Sequence, residues 1–357
     1  MKYDTLLLIG LESYAEGTYP YGKIASSINS KLRDSKGDVI YPQQSLIING
    51  SVTDIVTLDG RKRLAVNRSG VCHFKIDDAL WPSTLTTNKP VRLAMGMCIR
   101  FTERPSAESF TVCVHTNGRW SKIDYDYKPN VDYYIELLWY GPRQSSKSGA
   151  FYINGKRIDG VLGTGGGSKG QECFIGVNFT SPNNVVNEGI AYISDLYISQ
   201  TSSAEASPLL GPVTIDSIDC VVQQYKDASV SNVSNATGSD IENCLNTNKK
   251  TTDLLNPSVV ISKSGGFVHL GFKPETLDGN YVGACTVAHC YSEEPSGNNL
   301  KVSVNLNGGG GYPVNLEPGS PDGLISSSYS TGKLVNDTLT DAEIKAGFFV
   351  SIKSEQG

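Results

Sequence analysis

No stretch of this 357-residue chain approaches the roughly 20 consecutive apolar residues that a bilayer-crossing helix requires. The apolar run nearest the start, Leu6 to Ile9, is too short for a signal-peptide core and is bracketed by Asp4 and Glu12. It reads as a first β-strand, and the expectation is a soluble protein, used without secretion and with no membrane partner. Basic residues are also scarce. The 31 Lys and Arg stand against 36 Asp and Glu, a formal net charge of −5, so the positive footprint that nucleic acid demands is missing. The same sign disfavours acidic substrates. Only 3 Met occur beside 37 Gly and 18 Tyr, a mixture that favours strands and turns over a helical bundle.

The usual signatures of chemistry are missing as well. None of the eight cysteines forms a CxxC pair, and Cys98 and Cys113 sit inside apolar strand-like runs, where a free thiol packs as a small hydrophobe. A bridge such as Cys285 to Cys290 remains the alternative in oxidising surroundings. Only four histidines are present and no GxSxG elbow occurs, which limits Ser/His schemes. A formal GxGxxG at Gly165, Gly167 and Gly170 leads into the strand-like Glu172 to Val177 where a phosphate site needs a helix, so it reads as a hairpin loop. Cys72-His73 and His289-Cys290 place two ligand types side by side, but neighbours on a strand point to opposite faces. Glycan-cleaving sandwiches need two acids on one face, as in ExDxE, and that ladder is absent. Glu136 stands alone, while Asp124, Asp126 and Asp195 have calcium ligation as their functional reading and plain solvation as their bland one. The expectation is no cofactor, no metal and no enzymatic activity.

What is present is a series of tight-turn dipeptides between alternating apolar residues: Asn49-Gly50, Asp59-Gly60, Asn117-Gly118, Asn154-Gly155 and Asp278-Gly279. Type I′ hairpin turns need positive φ at both central residues, which Asn, Asp and Gly tolerate. Helical patterning is confined to Ile24–Leu32 and to a capping box at Thr340-Asp341-Ala342-Glu343 before a strand from Gly347 to Lys353. An all-β antiparallel architecture follows. The small polar residues and prolines of 201–212 predict a linker between a domain over 1–200 and a second, smaller β-sandwich over 213–357. Alternating strands, Tyr192 to Ile198 and Val213 to Ile218, flank it.

Aromatic side chains cluster around one hairpin. Trp139 alternates in phase with Tyr133, Ile135 and Leu137 and reads as core. Trp120, Tyr125, Tyr127 and Tyr140 are the candidate ligand-binding residues, since their rings can stack on sugar or on a partner.

The stretch Tyr133 to Trp139, then Gly149 to Lys156 with its Asn154-Gly155, and finally Ile193-Ser194-Asp195-Leu196-Tyr197-Ile198 resembles the strand series of concanavalin A-like or laminin-G-like jelly rolls. The order of parts is similar to structural proteins of tailed bacteriophages, where a lectin-like sandwich passes through a junction like Leu209-Leu210-Gly211-Pro212-Val213-Thr214-Ile215 into a second β-domain. The region from Tyr329 to Phe348 shares that likeness, without the expected Trp before its capping box. The resemblance implies a non-enzymatic virion component of tail, neck or head surface, assembled in the host cytoplasm. Its implied partners are other virion proteins and further copies of itself, with loops such as 162–171 and 180–189 carrying contacts. A carbohydrate-binding module for host-surface glycan is the alternative function, and a glycan-degrading enzyme the third.

Overall fold

The computed structural model describes residues 4–12, 14–19, 31–33, 39–41, 46–49, 53–67, 71–76, 92–105, 110–116, 119–139, 149–160, 173–179, 189–201, 207–216, 218–247, 258–272, 287–290, 298–305, 312–316, 327–331 and 347–356. Strands are numbered in chain order. Nine form one sheet: β14 (Lys156–Ile158), β13 (Gly149–Ile153), β12 (Asp132–Trp139), β9 (Arg92–Phe101), β16 (Ile190–Thr201), β7 (Arg61–Asn67), β6 (Thr53–Leu58) and β2 (Gly17–Tyr19) in that order, with β1 (Asp4–Ile9) also paired to β16. A five-stranded sheet faces it, in the order β11 (Arg119–Lys122), β10 (Phe110–Thr116), β15 (Cys173–Phe179), β8 (Val71–Ile76) and β5 (Leu46–Asn49). Alternation explains the packing. Met95, Met97 and Ile99 of β9 and Ile135, Leu137 and Trp139 of β12 meet Val112, Val114, Ile175 and Phe74 of the smaller sheet in one buried core.

The all-β antiparallel jelly-roll expectation is met, and Trp139 is core, 1% exposed. The turns Asp59-Gly60 and Asn154-Gly155 have positive φ at both residues and close hairpins β6–β7 and β13–β14. Strands β10 and β11 pair across Asn117-Gly118. Asn49-Gly50 differs. Asn49 ends β5, which pairs with β8, while the next strand, β6, pairs with β7 and β2, so the chain changes sheets between β5 and β6. Asp278-Gly279, the Thr340 capping box and the loops 162–171 and 180–189 lie outside the described residues. So does most of Ile24–Leu32, whose last two residues open β3 (Lys31–Arg33).

Strand β16 departs from simple alternation. A bulge between Ser194 and Tyr197, with Asp195 at φ 53°, moves the inward phase from Ile193 to Leu196 and Ile198. The bulge marks a change of neighbour, because residues 190–193 pair with β7 and residues 196–200 with β1.

The described residues of the expected strand from Val213 to Ile218, 213–216 and 218, form no strand. Residues 208–216 instead make a strap over the outer face of the large sheet, where Leu209, Leu210, Val213 and Ile215 pack on Ala94, Tyr134, Leu138 and Tyr197. Its backbone donors go to side chains rather than to a ladder: Leu210 N donates to Tyr197 Oη at 3.1 Å, Gly211 N to Glu136 Oε1 at 2.9 Å and Ile215 N to Asp195 Oδ1 at 2.8 Å. The apolar alternation is genuine, but carboxylates supply the pairing that a neighbouring strand would have given.

In the second half of the chain a five-stranded sheet runs β17 (Cys220–Lys226), β20 (Phe267–Phe272), β25 (Phe348–Gln356), β22 (Asn298–Asn305) and β23 (Tyr312–Leu316). A ribbon of β18 (Ala228–Val230) and β19 (Val259–Ile261) and the helix α1 (Gly238–Asn246) pack on it around Ile241, Val268, Leu270 and Val350. The sequence reading missed this helix. Its signal is the box Thr237 to Asp240, in which each residue's side chain bonds the other's backbone N–H, followed by buried Ile241 and Cys244 at helical spacing. A four-stranded sheet joins β21 (Val287–Cys290) and β24 (Ser327–Thr331) to β3 and β4 (Val39–Tyr41).

Candidate functional site

The sequence of β10, Phe-Thr-Val-Cys-Val-His-Thr, sends Val112 and Val114 inward, so Thr111, Cys113 and His115 belong to the outer face of the smaller sheet. Register then builds a row across that face. His115 lies opposite Trp120 of β11 on one side and Phe174 of β15 on the other, and Phe174 lies opposite Lys75 of β8. Three interstrand steps of about 4.8 Å make a row about 14 Å long, enough to seat more than one sugar ring. His73, one register step away, faces Gly176.

The rings stand like books. His73 and His115 flank Phe174 with centroids 4.2 and 5.0 Å away and interplanar angles of 12° and 10°. Gly176 permits this. A Cβ there would fall 2.2 Å from the Cys72 carbonyl oxygen and 2.9 Å from the His73 ring, so only glycine lets His73 stand where it does. Phe174 is buried between its neighbours, the two imidazoles are half-buried, and Trp120 at the end of the row is 46% exposed. Such a shelf combines an open indole with polar imidazole edges, which is chemistry able to stack on a sugar ring and hydrogen-bond its hydroxyl groups.

Cys113 lies beneath the shelf, its Sγ donating to Gly176 O at 3.4 Å and 4.0 Å from His73 Nε2. Burial pushes its thiol up to about 12, so it remains protonated and offers no thiolate to the neighbouring imidazole. Cys72 is pushed higher by burial, and Cys98 up to about 11 for the same reason. Cys72, Cys98, Cys113, Cys220 and Cys244 are buried free thiols, which for Cys98 and Cys113 the apolar runs around them predict.

The structure divides the four sequence candidates. Trp120 joins the shelf. Tyr125, 40% exposed, caps a different cluster at the crossing between the sheets, 5.2 Å from Tyr127 and 5.8 Å from Tyr133. Tyr127 is corrected to a core residue: 1% exposed and packed edge-on against Phe101 and Tyr133, it presents no face to a ligand. Tyr140 lies outside the described residues. Sequence reasoning missed His73, His115 and Phe174 as a group because three separate strands supply them. The available signal was Cys113 and His115 alternating with Val112 and Val114.

The acids have other employment. Glu136, 1% exposed, accepts from Tyr197 Oη at 2.5 Å and from Gly211 N, and burial pushes its carboxyl above the usual range against those two bonds. Asp195 accepts from Arg61 at 2.9 Å, from Ser194 Oγ at 2.7 Å and from Ile215 N. Asp126 pairs with Arg104 at 2.8 Å, while Asp124 is exposed. Among the described residues no group of three His, Cys, Asp or Glu is placed to hold a metal ion. No helix there is long and apolar enough to cross a membrane.

No protein-family model and no curated protein matches the sequence. Solved structures of lectin-like and jelly-roll folds do. An alginate lyase is similar over 55% of this chain and 96% of its own, with 10% identity and a TM-score of 0.33. A domain of an extracellular arabinanase from Geobacillus stearothermophilus, in complex with arabinotriose, is similar over 58% and 96%, with 9% identity and a TM-score of 0.33. The lectin UEA-II, complexed with galactose, is similar over 45% and 94%, with 9% identity and a TM-score of 0.28. The expectation of a protein without enzymatic activity is corrected here: the similar structures include an alginate lyase and a domain of an arabinanase.

Proposed function

We propose that the jelly-roll domain binds carbohydrate on the outer face of its five-stranded sheet, along the row from Trp120 through His115 and Phe174 to His73. The observation that carries this reading is the shelf itself, three stacked rings ending in an indole 46% exposed to solvent. The likeness to lectins and glycan-processing enzymes accords with it. The test is a glycan array on the full chain followed by calorimetry of the best binder. Trp120→Ala should weaken binding at least about tenfold, the scale of a lost aromatic anchor, without unfolding the protein. Unchanged affinity in that variant would place the site elsewhere, and an empty array would remove the reading.

A second reading, a structural component of a tailed-phage virion built from repeated copies, is supported by the likeness of residues 209–215 to the junction of such proteins. On this reading 201–212 separates the two domains, and weak single-site glycan binding gains strength from many copies. Labelling the chain on purified particles by electron microscopy tests it. Presence at a fixed position on head, neck or tail supports the reading, and absence from the particle contradicts it.

A further inference from the structure

We infer that the outer face of the second five-stranded sheet holds a separate binding site for a phosphate or sulfate group, formed around Ser351, His269 and Lys353. Val222, Leu270 and Val350 enter the second core, so the pleat places Val221, Gly271 and Phe349 on the opposite face. One register step along that face, His269 of β20 lies directly opposite Ser351 of β25. The next step is Lys226, Phe267, Lys353 and Lys301 across four strands.

Two independent features set this face apart from ordinary surface. The first is a pair of orphans. Ser351 is 7% exposed, and its Oγ, like His269 Nε2, is shut off from solvent with no hydrogen-bond partner. A buried hydroxyl or ring nitrogen without a partner costs stability, and two on facing positions are a cost the fold gains nothing by carrying. The second is charge. Lys226 of β17 and Lys353 of β25 lie on either side of Phe267 in one register row, two exposed cations on the same face. Among the described residues neither Lys226 nor Lys353 has a carboxylate partner, and the one acidic register position on the face is Glu355, a step further on opposite Asn299.

A tetrahedral oxyanion satisfies both features at once. Once side-chain rotation on this face uncovers them, the serine hydroxyl and the imidazole N–H donate to its oxygens, and the exposed Lys353 neutralises it. The His269 ring stacks on Phe267 at 4.3 Å and is held toward its neutral form by burial and by Lys353, which leaves one ring N–H to donate. Exposed Phe349 and Val221 border the site and offer apolar contact to whatever carries the anionic group. The site lies in the other half of the chain from the aromatic shelf, so neither proposal depends on the other.

The test titrates the full chain with sodium phosphate and, in a separate arm, sodium sulfate, at constant ionic strength set with chloride. Calorimetry and the ring signals of His269 in nuclear magnetic resonance give the readout. Saturable binding in the millimolar range is expected, weakened about tenfold in Lys353→Gln and several-fold in Ser351→Ala. Binding of both anions supports a general oxyanion site, and binding of phosphate alone a phosphate ester. Ser351→Ala removes one buried hydroxyl and should fold at least as well as the parent, so it keeps the test available if Lys353→Gln does not fold. No saturable binding over chloride, or binding unchanged in both variants, would overturn the proposal.

Discussion

The two outer faces of the jelly roll are built by the same pleat and put to opposite uses. On the large sheet the outward polar residues are consumed internally. Glu136, Asp195, Tyr197 and Ser199 accept from or donate to the strap, and Arg63 grips Asp132 through two bonds of 2.7 and 2.9 Å. On the small sheet His73, His115 and Trp120 stack with Phe174 or stand exposed beside it. The difference teaches where to look for function in a sandwich of this kind: in the face that leaves aromatic rings open to solvent, as Trp120 is, and not in the face covered by the chain's own strap.

The largest effect expected from breaking that contrast is at Glu136. Glu136→Ala strands the Gly211 N–H and the Tyr197 hydroxyl in a buried layer and should lower stability by about 3 kcal/mol, read from the urea midpoint. Next is glycine packing. Gly176→Ala drives a methyl group into the Cys72 carbonyl and should cost about 1–3 kcal/mol while abolishing glycan binding. Gly96→Ala meets the rings of Tyr197 and Tyr134 at 2.3 and 2.9 Å and should cost a similar amount. It should leave glycan binding intact, because those rings belong to the strapped face. Equal loss of binding in both variants would erase the distinction.

A smaller effect concerns pH. Burial raises the Glu136 pKa in the folded state above its ordinary value of 4.5, so between these two values the native protein holds a proton that the unfolded chain has released. Stability from this group is therefore fully present below pH 4.5, declines as pH rises toward the folded value, and is level above it. Glu136→Gln should flatten that part of the stability profile, and an unaltered slope would assign it to other groups. Smallest of all is Tyr127→Phe. The Tyr127 hydroxyl is buried without a partner, so removing it should change stability by less than about 1 kcal/mol, in either direction, and leave glycan affinity unchanged.

Much of the fold is legible in short sequence patterns, because hairpins are local. Asp59-Gly60 and Asn154-Gly155 carry their own φ requirements, and Trp139 declares its face through Tyr133, Ile135 and Leu137. What escapes is whatever depends on partners distant in the chain. Asn49-Gly50 has the composition of a hairpin, but pairing of β5 with β8 makes it a crossing. Val213 to Ile215 alternates like a strand, yet the Ile215 N–H goes to the Asp195 carboxylate of β16, as the Gly211 N–H just before goes to Glu136 of β12. The shelf is hidden for the same reason: His73, Phe174 and His115 lie up to 101 positions apart in the chain, and only the register of β8, β15 and β10 brings their rings together. Trp120 alone was readable, since it follows a turn signature and its neighbours are polar.

The most direct test of the shelf as the glycan site is a titration of the full chain with its best array ligand, following the indole N–H of Trp120 and the ring of His115 by nuclear magnetic resonance. Both signals should shift along one saturating curve while backbone signals of Gly211 and Ile215 on the strap stay fixed. Shifts confined to the strap, with Trp120 and His115 unmoved at saturation, would contradict the account.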